Sequence, residues 1–344
     1  MSADRGQACG TVLLLPPSGP GAAGIARDMS TLGFTVVAGG IAAARKQCPE
    51  GVEFVELPRV YDPMFHEAVA SLCADRQVRA IWSPHKAVRS ALSSIYSTSS
   101  VALLGEDALD GEIRRWDEAR AAVAKCAFAH DSQIDDDGRI LIQSALLQAL
   151  RIEGESDAIK LVEMGVSLLR APPGLAVEVG VLFGRSAVLM AIIARQARSR
   201  PVLFVDPFAL EHAVQDDSPA PLRAGSHTMS WSTVGAIARA NLLGAGARED
   251  ALFVGTSAEA VESSAISPVA FLHIDGNHDE SAVRDDWGAW RPHLVVGATV
   301  IFDDYDWVGG TGPKVVADEL LNAGVLVDAR LVGRSLFARF HQRL

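Results

Sequence analysis

The stretch "FLHIDGNHDESAVRDDWGAWRPHLVVGATVIFDDYDW" at residues 271–307 holds two short apolar runs, and each run ends in aspartate. The first run stops at Asp275, and the second stops at the adjacent pair Asp303 and Asp304. The segment between the runs is typical of a helix, so the stretch predicts a strand, a helix and a second strand. In such a unit the two strands run parallel, and their final residues meet at one edge of a sheet.

The same alternation of strand-like and helix-like segments runs almost from end to end of the chain, which predicts the α/β class. A length of 344 residues favours two domains. An acidic segment, "AHDSQIDDDG" at 129–138, interrupts the pattern and is predicted to be the linker between domains at 1–128 and 139–344. The last segment, 324–340, contains two strand-like runs that predict an antiparallel hairpin.

Composition excludes several classes of protein. Hydrophobic residues make up 49% of the chain and charged residues 21%, which is enough to form buried cores. A net charge of −11 without a basic cluster argues against a nucleic-acid partner. The longest apolar runs fall short of the ~18 residues that predict a membrane span. The first residues lack the features of a secretory signal, and the four cysteines are scattered, so we expect a cytoplasmic protein with reduced thiols.

A glycine-bearing turn, "EVGVLFGRS" at 178–186, follows the first strand of the second domain. Gly180 and Gly184 would let a ligand approach the backbone, beside the N–H groups of the helix that follows. The spacing is not that of the dinucleotide motif. Asp206 ends the next strand, where its carboxylate could accept hydrogen bonds from both hydroxyls of a ribose. Together these features predict a nucleoside-bearing ligand; a tight turn without a ligand and a helix-capping aspartate are the alternatives.

Three carboxylates at one edge of a sheet would repel one another and raise each other's pKa. A hard divalent cation would neutralise Asp275, Asp303 and Asp304, and a site that keeps positions open for water and substrate suits Mg²⁺. His278 follows Asp275 by three residues on the next turn. Its side chain is either a general base or a group that hydrogen-bonds the turn.

The segments "AVEVGVLFGRSAV", "VLFVDPF", "VGTSAEAV" and the stretch from Phe271 onward resemble the class I methyltransferases that use S-adenosylmethionine. The resemblance covers about residues 140–344 and is greatest to metal-assisted O-methyltransferases of the macrocin and mycinamicin type. It implies a seven-stranded, mostly parallel Rossmann-like sheet with an antiparallel C-terminal hairpin. It implies cofactor contacts at Glu178, Val179, Gly180, Gly184, Ser186, Asp206, Pro207, Phe208, Ser257, Ala258 and Asp275.

Further roles follow from the same resemblance. Gly180 and its neighbours would line the methionine part of the cofactor, Asp206 would hold the ribose, and Ser257 with Ala258 would lie near the adenine. Asp275, Asp303 and Asp304 match the metal ligands of the family. His278 matches its base, so that His278 and Asp275 are the predicted catalytic residues.

These expectations describe a Mg²⁺-assisted O-methyltransferase. The metal would bind a hydroxyl of a small molecule such as a sugar or natural-product intermediate, lower the pKa of that hydroxyl and aim it at the methyl group. A polar segment at 209–229 is long enough to form a lid over this acceptor. We also expect a homo-oligomer.

The N-terminal domain is less specific. Gly19, Gly21 and Gly24 have the dinucleotide spacing, but prolines crowd the turn and the second strand lacks an acid for a ribose. This part resembles the Rossmann-like domain that precedes the catalytic portion of ATP-grasp ligases, and we predict an accessory domain for assembly or acceptor recognition. Two rival readings of the chain remain: a nucleotide-binding or scaffold protein without catalysis, and an NAD-dependent oxidoreductase.

Overall fold

The chain folds into two α/β units, Met1–Arg114 and Arg115–Leu344. The computed structural model describes residues 10–18, 21–96, 100–105, 108–126, 134–198, 200–215, 220–263, 266–307 and 310–341. The predicted boundaries at 1–128, 129–138 and 139–344 stay a prediction. Part of the predicted linker lies outside the described residues, and a helix begins at Asp136.

The first unit contains one parallel sheet of five strands in the order β3-β2-β1-β4-β5. Its strands are β1 (Thr11–Leu14), β2 (Thr35–Gly40), β3 (Glu53–Glu56), β4 (Val78–Trp82) and β5 (Ala102–Leu104). Its helices are α1 (Ala22–Thr31), α2 (Phe65–Asp75), α3 (Lys86–Tyr96) and α4 (Ala108–Lys125), which ends in the second unit, and a 3-10 helix covers Ala42–Gln47. Of the predicted glycine motif, Gly19 lies outside the described residues, and Gly21 precedes α1 with a φ of 83°.

The second unit contains a seven-stranded sheet in the order β11-β12-β10-β9-β6-β7-β8. Its strands are β6 (Leu175–Val179), β7 (Val202–Asp206), β8 (Leu252–Val254), β9 (Val269–Ile274), β10 (Leu294–Phe302), β11 (Leu326–Val332) and β12 (Ser335–Phe340). β6 to β10 pair in parallel, and β12 is antiparallel to both β10 and β11. The predicted fold is therefore confirmed, including the C-terminal hairpin and the smaller α/β domain ahead of it.

Helices cover both faces of this sheet. They are α5 (Asp136–Ala149), α6 (Ala158–Arg170), α7 (Arg185–Arg198), α8 (Leu210–Ala213), α9 (Ala220–Thr228), α10 (Trp231–Gly244), α11 (Ser257–Ser263), α12 (Glu280–Trp290) and α13 (Gly312–Asn322), with 3-10 helices at Glu249–Ala251 and Arg291–His293. Because both faces are covered, β6 and β9 are buried along their whole length. Alternation along β9 places Phe271 in the core with α5, α6 and α7, and Leu272 in the core with α12.

The strand ends are aligned by register. Ile274 of β9 pairs with Val179 of β6 on one side and with Phe302 of β10 on the other. Gly180, Asp275 and Asp303 therefore follow their strands at the same level of the sheet. A Cβ at Gly180, whose φ is 84°, would lie 2.0 Å from the Asp275 carbonyl oxygen, so only glycine fits between these strand ends.

No helix in the described part of the chain combines the length and the apolar character needed to cross a membrane.

Candidate active site

A cavity of about 1010 Å³ opens at the carboxyl ends of the parallel strands in the second unit. Ligands in open α/β sheets bind in this position. The predicted site residues that line it are Val179, Gly180, Ser186, Asp206, Pro207, Ser257, Ala258, Asp275, His278, Asp303 and Asp304. Three other predicted cofactor residues, Glu178, Gly184 and Phe208, are not among the described residues that line the cavity.

Asp206 holds the glycine turn through its carboxylate. Oδ2 accepts the backbone N–H groups of Val181 at 2.8 Å and Leu182 at 3.1 Å, and Oδ1 accepts that of Phe208 at 2.7 Å. Burial raises the pKa of Asp206 above its ordinary value, and these backbone hydrogen bonds offset only part of that rise. A carboxylate has about four acceptor positions, so capacity for a ribose hydroxyl remains.

Glu178 faces away from the cavity, into the core. It pairs in register with His273 of β9, and its Oε1 lies 2.8 Å from His273 Nδ1. Both side chains are fully buried. The second oxygen of Glu178 and the second ring nitrogen of His273 have no hydrogen-bond partner among the described residues. His273 Nε2 lies 3.6 Å from Asp275 Oδ2, so the buried Glu178–His273 pair is next to one of the predicted site residues.

Lys160 of α6 lies between two of the three predicted metal ligands. Its ammonium nitrogen is 2.7 Å from Asp303 Oδ2, 3.4 Å from Asp275 Oδ2 and 3.0 Å from Ser156 Oγ. The Lys160 side chain is only 4% exposed. Burial lowers the pKa of Lys160, but the charges of Asp275 and Asp303 outweigh it and leave the pKa above its ordinary value, so the side chain is an ammonium.

The pKa values of the two aspartates that contact Lys160 shift in opposite directions. Burial raises the pKa of both carboxyls. For Asp303 the Lys160 charge, together with hydrogen bonds from Asp275 and Lys160 and the charge of His273, outweighs burial and holds the pKa well below its ordinary value. For Asp275 the nearby Asp303 charge adds to burial, so its pKa lies well above the ordinary value. Asp303 Oδ1 also accepts a short hydrogen bond from the Ser335 hydroxyl, so both of its oxygens are engaged.

The His278 imidazole lies between the carboxylates of Asp275 and Asp304. Its Nδ1 is 3.6 Å from Asp304 Oδ2, and its Nε2 is 3.9 Å from Asp275 Oδ1. The Trp307 ring stands edge-on to the imidazole, with 6.0 Å between centroids. Asp304 has a φ of 48°, and its Oδ1 lies 3.2 Å from Arg334 Nε. Backbone strain at a non-glycine residue of this kind is a common feature of functional sites.

As placed, the three predicted metal ligands do not fit a divalent ion. Bonds of 2.0–2.1 Å to Mg²⁺ require ligand oxygens within about 4.2 Å of one another. In the described ranges, the group whose possible ligand atoms all lie within 4.8 Å of one another is Glu178, His273 and Asp275, which shares only Asp275 with the predicted set. The Lys160 ammonium also contacts two of these carboxylates, where an ion would have to bind.

The segment between β7 and α10 contains two short helices, α8 and α9, where the sequence predicts a polar loop. Asn277 connects it to the site, because its Nδ2 donates to the carbonyls of His212 at 3.1 Å and Val214 at 3.0 Å. Gln215 Nε2 lies 3.5 Å from His278 Nδ1. Residues 216–219 lie outside the described part of the chain.

Asp286 of α12 also lines the cavity and contacts Ser257. The Ser257 hydroxyl donates to Asp286 Oδ1 at 2.6 Å and accepts the Trp290 indole N–H at 3.0 Å. Burial raises the pKa of Asp286 to about 6, although the Ser257 hydrogen bond lowers it. The spacing of the sequence did not indicate this cluster.

The fold and the cavity define an α/β enzyme domain with its ligand site at the carboxyl edge of the sheet. Residues 177–305 match the family model described as a methyltransferase domain. The prediction of a methyltransferase domain in this part of the chain is thus confirmed.

Several solved structures are similar to this chain. The O-methyltransferase NovP is 18% identical, with 68% of this chain and 98% of that chain covered and a TM-score of 0.44. The calicheamicin methyltransferase CalS11 is 17% identical, with coverages of 67% and 93% and a TM-score of 0.43. TomG from Streptomyces achromogenes, an O-methyltransferase involved in tomaymycin synthesis, is 14% identical, with coverages of 74% and 96% and a TM-score of 0.39. The resemblance to the macrocin type and that of the first unit to ATP-grasp ligases stay predictions.

Proposed function

We propose that the second unit transfers the methyl group of S-adenosylmethionine to a hydroxyl of a small molecule. The observation that carries this proposal is the position of His278. The imidazole lies between Asp275 and Asp304 in the wall of the same cavity that the glycine turn lines. A candidate base and a candidate cofactor turn therefore face one space, which is what a direct transfer between two bound molecules requires.

The methyl donor would occupy the part of the cavity next to β6 and β7. Gly180 presents no side chain there, and Asp206 holds the backbone of the turn. We assign the methionine part to the turn and the ribose to the neighbourhood of Asp206. The adenine would then reach Ser257 and Ala258, which line the same cavity beyond β8.

His278 would accept the proton of the acceptor hydroxyl. As the proton leaves, the oxygen attacks the methyl carbon and the carbon–sulfur bond breaks, so that the positive sulfonium becomes the neutral thioether of S-adenosylhomocysteine. The imidazolium that forms lies between Asp275 and Asp304, whose oxygens stabilise its charge. No covalent intermediate with the enzyme is needed, and most of the rate comes from holding oxygen, carbon and sulfur in line.

The acceptor is proposed to be a hydroxylated small molecule such as a sugar or a natural-product intermediate. A space of about 1010 Å³ is at the upper end of the range for sites that bury a drug-sized ligand, so it has room for donor and acceptor together. Trp307, Met229 and Trp231 add apolar surface to its wall. The roles of the first unit as an accessory domain and of the chain as a homo-oligomer stay predictions.

Two measurements on the full chain test this function. Isothermal titration calorimetry with S-adenosylmethionine should show binding, and a panel of hydroxylated small molecules should yield a methylated product detected by mass spectrometry. NAD in place of S-adenosylmethionine is the control for the oxidoreductase alternative. Binding of NAD without binding of S-adenosylmethionine would refute the proposal, and cofactor binding without transfer to any acceptor would favour the scaffold alternative.

A further inference from the structure

Lys160 is a buried cation at the position where the sequence predicts a metal. We infer that its ammonium group supplies the positive charge between Asp275 and Asp303, and that methyl transfer by this enzyme requires no divalent ion. This inference rests on the proposed function, because it concerns the same site. Lys160 is a positioning residue in this reading, since it lies behind the cavity wall and is not among the described residues that line it.

The ammonium group is fully coordinated. A lysine ammonium has three N–H donors, and Lys160 has three acceptors: Ser156 Oγ, Asp275 Oδ2 and Asp303 Oδ2. The backbone is fixed as well, because Asp157 caps α6 by accepting the Lys160 N–H at 2.8 Å. All three N–H donors of the Lys160 ammonium are therefore used by these acceptors.

Strand alternation explains how a residue of α6 reaches these carboxylates. Phe271 and Ile301 face the core that contains α5, α6 and α7. Residues two positions further along the same strands point to the same face. His273, and then Asp275 and Asp303 beyond the strand ends, are therefore directed toward α6. Lys160 approaches the carboxylates from that helix, and Asp275 and Asp303 also line the cavity.

All six oxygens of the three aspartates have a neighbouring donor or imidazole nitrogen. Lys160 contacts Oδ2 of Asp275 and Oδ2 of Asp303, and Ser335 donates to the second oxygen of Asp303. Arg334 contacts Oδ1 of Asp304. The remaining oxygens, Oδ1 of Asp275 and Oδ2 of Asp304, face the two ring nitrogens of His278.

A divalent ion would have to displace these contacts. Its approach to Asp275 and Asp303 would leave the buried Lys160 ammonium next to a second cation and without two of its three acceptors. An uncompensated buried charge is strongly unfavourable. The same contacts give Lys160 a role in the reaction, since the Asp275 carboxyl that it holds presents its other oxygen to His278.

The first experiment uses the unmodified full chain. Methyl transfer is measured after treatment with excess chelator, and binding of Mn²⁺ is followed by electron paramagnetic resonance. The inference predicts transfer within about two-fold of the untreated rate and no stoichiometric Mn²⁺ site. Loss of transfer in chelator with recovery on adding Mg²⁺, or one tightly bound Mn²⁺ per chain, would overturn it.

The second experiment compares Lys160→Met with Lys160→Arg. We expect Lys160→Met to lower kcat by about 100-fold, with little change in the affinity for S-adenosylmethionine, and to create a Mn²⁺ site where Asp275 and Asp303 have lost their partner. Lys160→Arg retains the charge and should keep more activity without binding Mn²⁺. A Lys160→Met protein that folds and binds no Mn²⁺ would contradict the charge replacement.

Lys314→Met is the matched control, because Lys314 is half exposed, contacts Tyr305 and Asp318, and does not line the cavity in the described structure. It should change neither transfer nor Mn²⁺ binding. The Mn²⁺ measurements need no turnover, so they judge this inference alone. If S-adenosylmethionine fails to bind, the proposed function fails while the Mn²⁺ result still stands.

Discussion

Both units contain a run of five parallel strands, but the strands end in different residues. In the first unit the central strands β1, β2 and β4 end at Leu14, Gly40 and Trp82. In the second unit β7 ends at Asp206, while β9 is followed directly by Asp275. The sheet therefore supplies only a frame, and the chemistry depends on which side chains follow the strands.

The largest effect should come from removing the candidate base. His278→Ala should lower kcat by about 100-fold to 10,000-fold, the usual contribution of a general base, and leave the affinity for S-adenosylmethionine nearly unchanged. Steady-state kinetics and calorimetry measure the two quantities. His66→Ala, an exposed position in α2 of the first unit, is the control and should have no effect. Equal effects of the two substitutions would remove the functional difference between the units.

The next effect compares two glycines with similar backbone angles. Gly180 has a φ of 84° and Gly51 of the first unit has a φ of 77°. A Cβ at Gly180 would collide with the Asp275 carbonyl, whereas one at Gly51 meets nothing within 4 Å. Gly51→Ala should cost about 1–2 kcal/mol of unfolding free energy through backbone strain alone. Gly180→Ala should cost about 2–5 kcal/mol, because the clash adds to that strain.

Urea unfolding measures both glycine variants, and calorimetry adds the affinity for S-adenosylmethionine. Only Gly180→Ala should weaken cofactor binding. If the two variants lost equal stability and bound the cofactor equally well, the close approach of the strand ends would not matter.

A pH effect should arise at Asp286. Its pKa is raised from 3.8 to about 6 in the folded protein, so the folded state binds this proton more tightly than the unfolded chain does. The contribution to stability is present below about pH 4 and is lost as the pH rises through about 6. It amounts to at most about 3 kcal/mol, since one pKa unit corresponds to about 1.4 kcal/mol. Urea unfolding between pH 4 and pH 7 should show this decline in the parent, and Asp286→Asn should flatten it.

The smallest effect is expected at an exposed ion pair of the first unit. Arg76 contacts Glu53 through two hydrogen bonds, at 2.5 Å and 3.0 Å, but both side chains are nearly half exposed. Arg76→Ala should therefore reduce the unfolding free energy by less than about 1 kcal/mol, and less again in high salt. If urea unfolding showed that Arg76→Ala loses as much unfolding free energy as Gly180→Ala, this exposed ion pair would stabilise the first unit far more than surface ion pairs usually do.

The sequence was sufficient for the strand ends but not for the residues behind them. Asp275, Asp303, Asp304 and His278 line one cavity, as parallel strands ending in polar residues predict. That inference needs only the order of strands and their direction, which local patterns reveal. The same segments predict a methyltransferase domain, and the family match over residues 177–305 confirms it.

Lys160 could not have been found in this way. It lies 115 residues before Asp275, on a helix whose other buried positions are mostly apolar. Its contact depends on which face of the sheet α6 covers and on the rotamer of a long side chain. Arg334 likewise reaches Asp304 from the turn of the C-terminal hairpin. Glu178, by contrast, was predicted to contact the cofactor. Its side chain instead points into the core, where it pairs with His273 of the neighbouring strand.

Asn277 and His278 are consecutive, and Asn277 donates two hydrogen bonds to the backbone of the segment at His212 and Val214, where His212 lines the cavity. A movement of this segment large enough to admit an acceptor would break those bonds and release the peptide next to the base. Entry of substrate and correct placement of the imidazole would then be one coupled event. His278 could then accept a proton only after this segment has returned to its place and water has left the cavity.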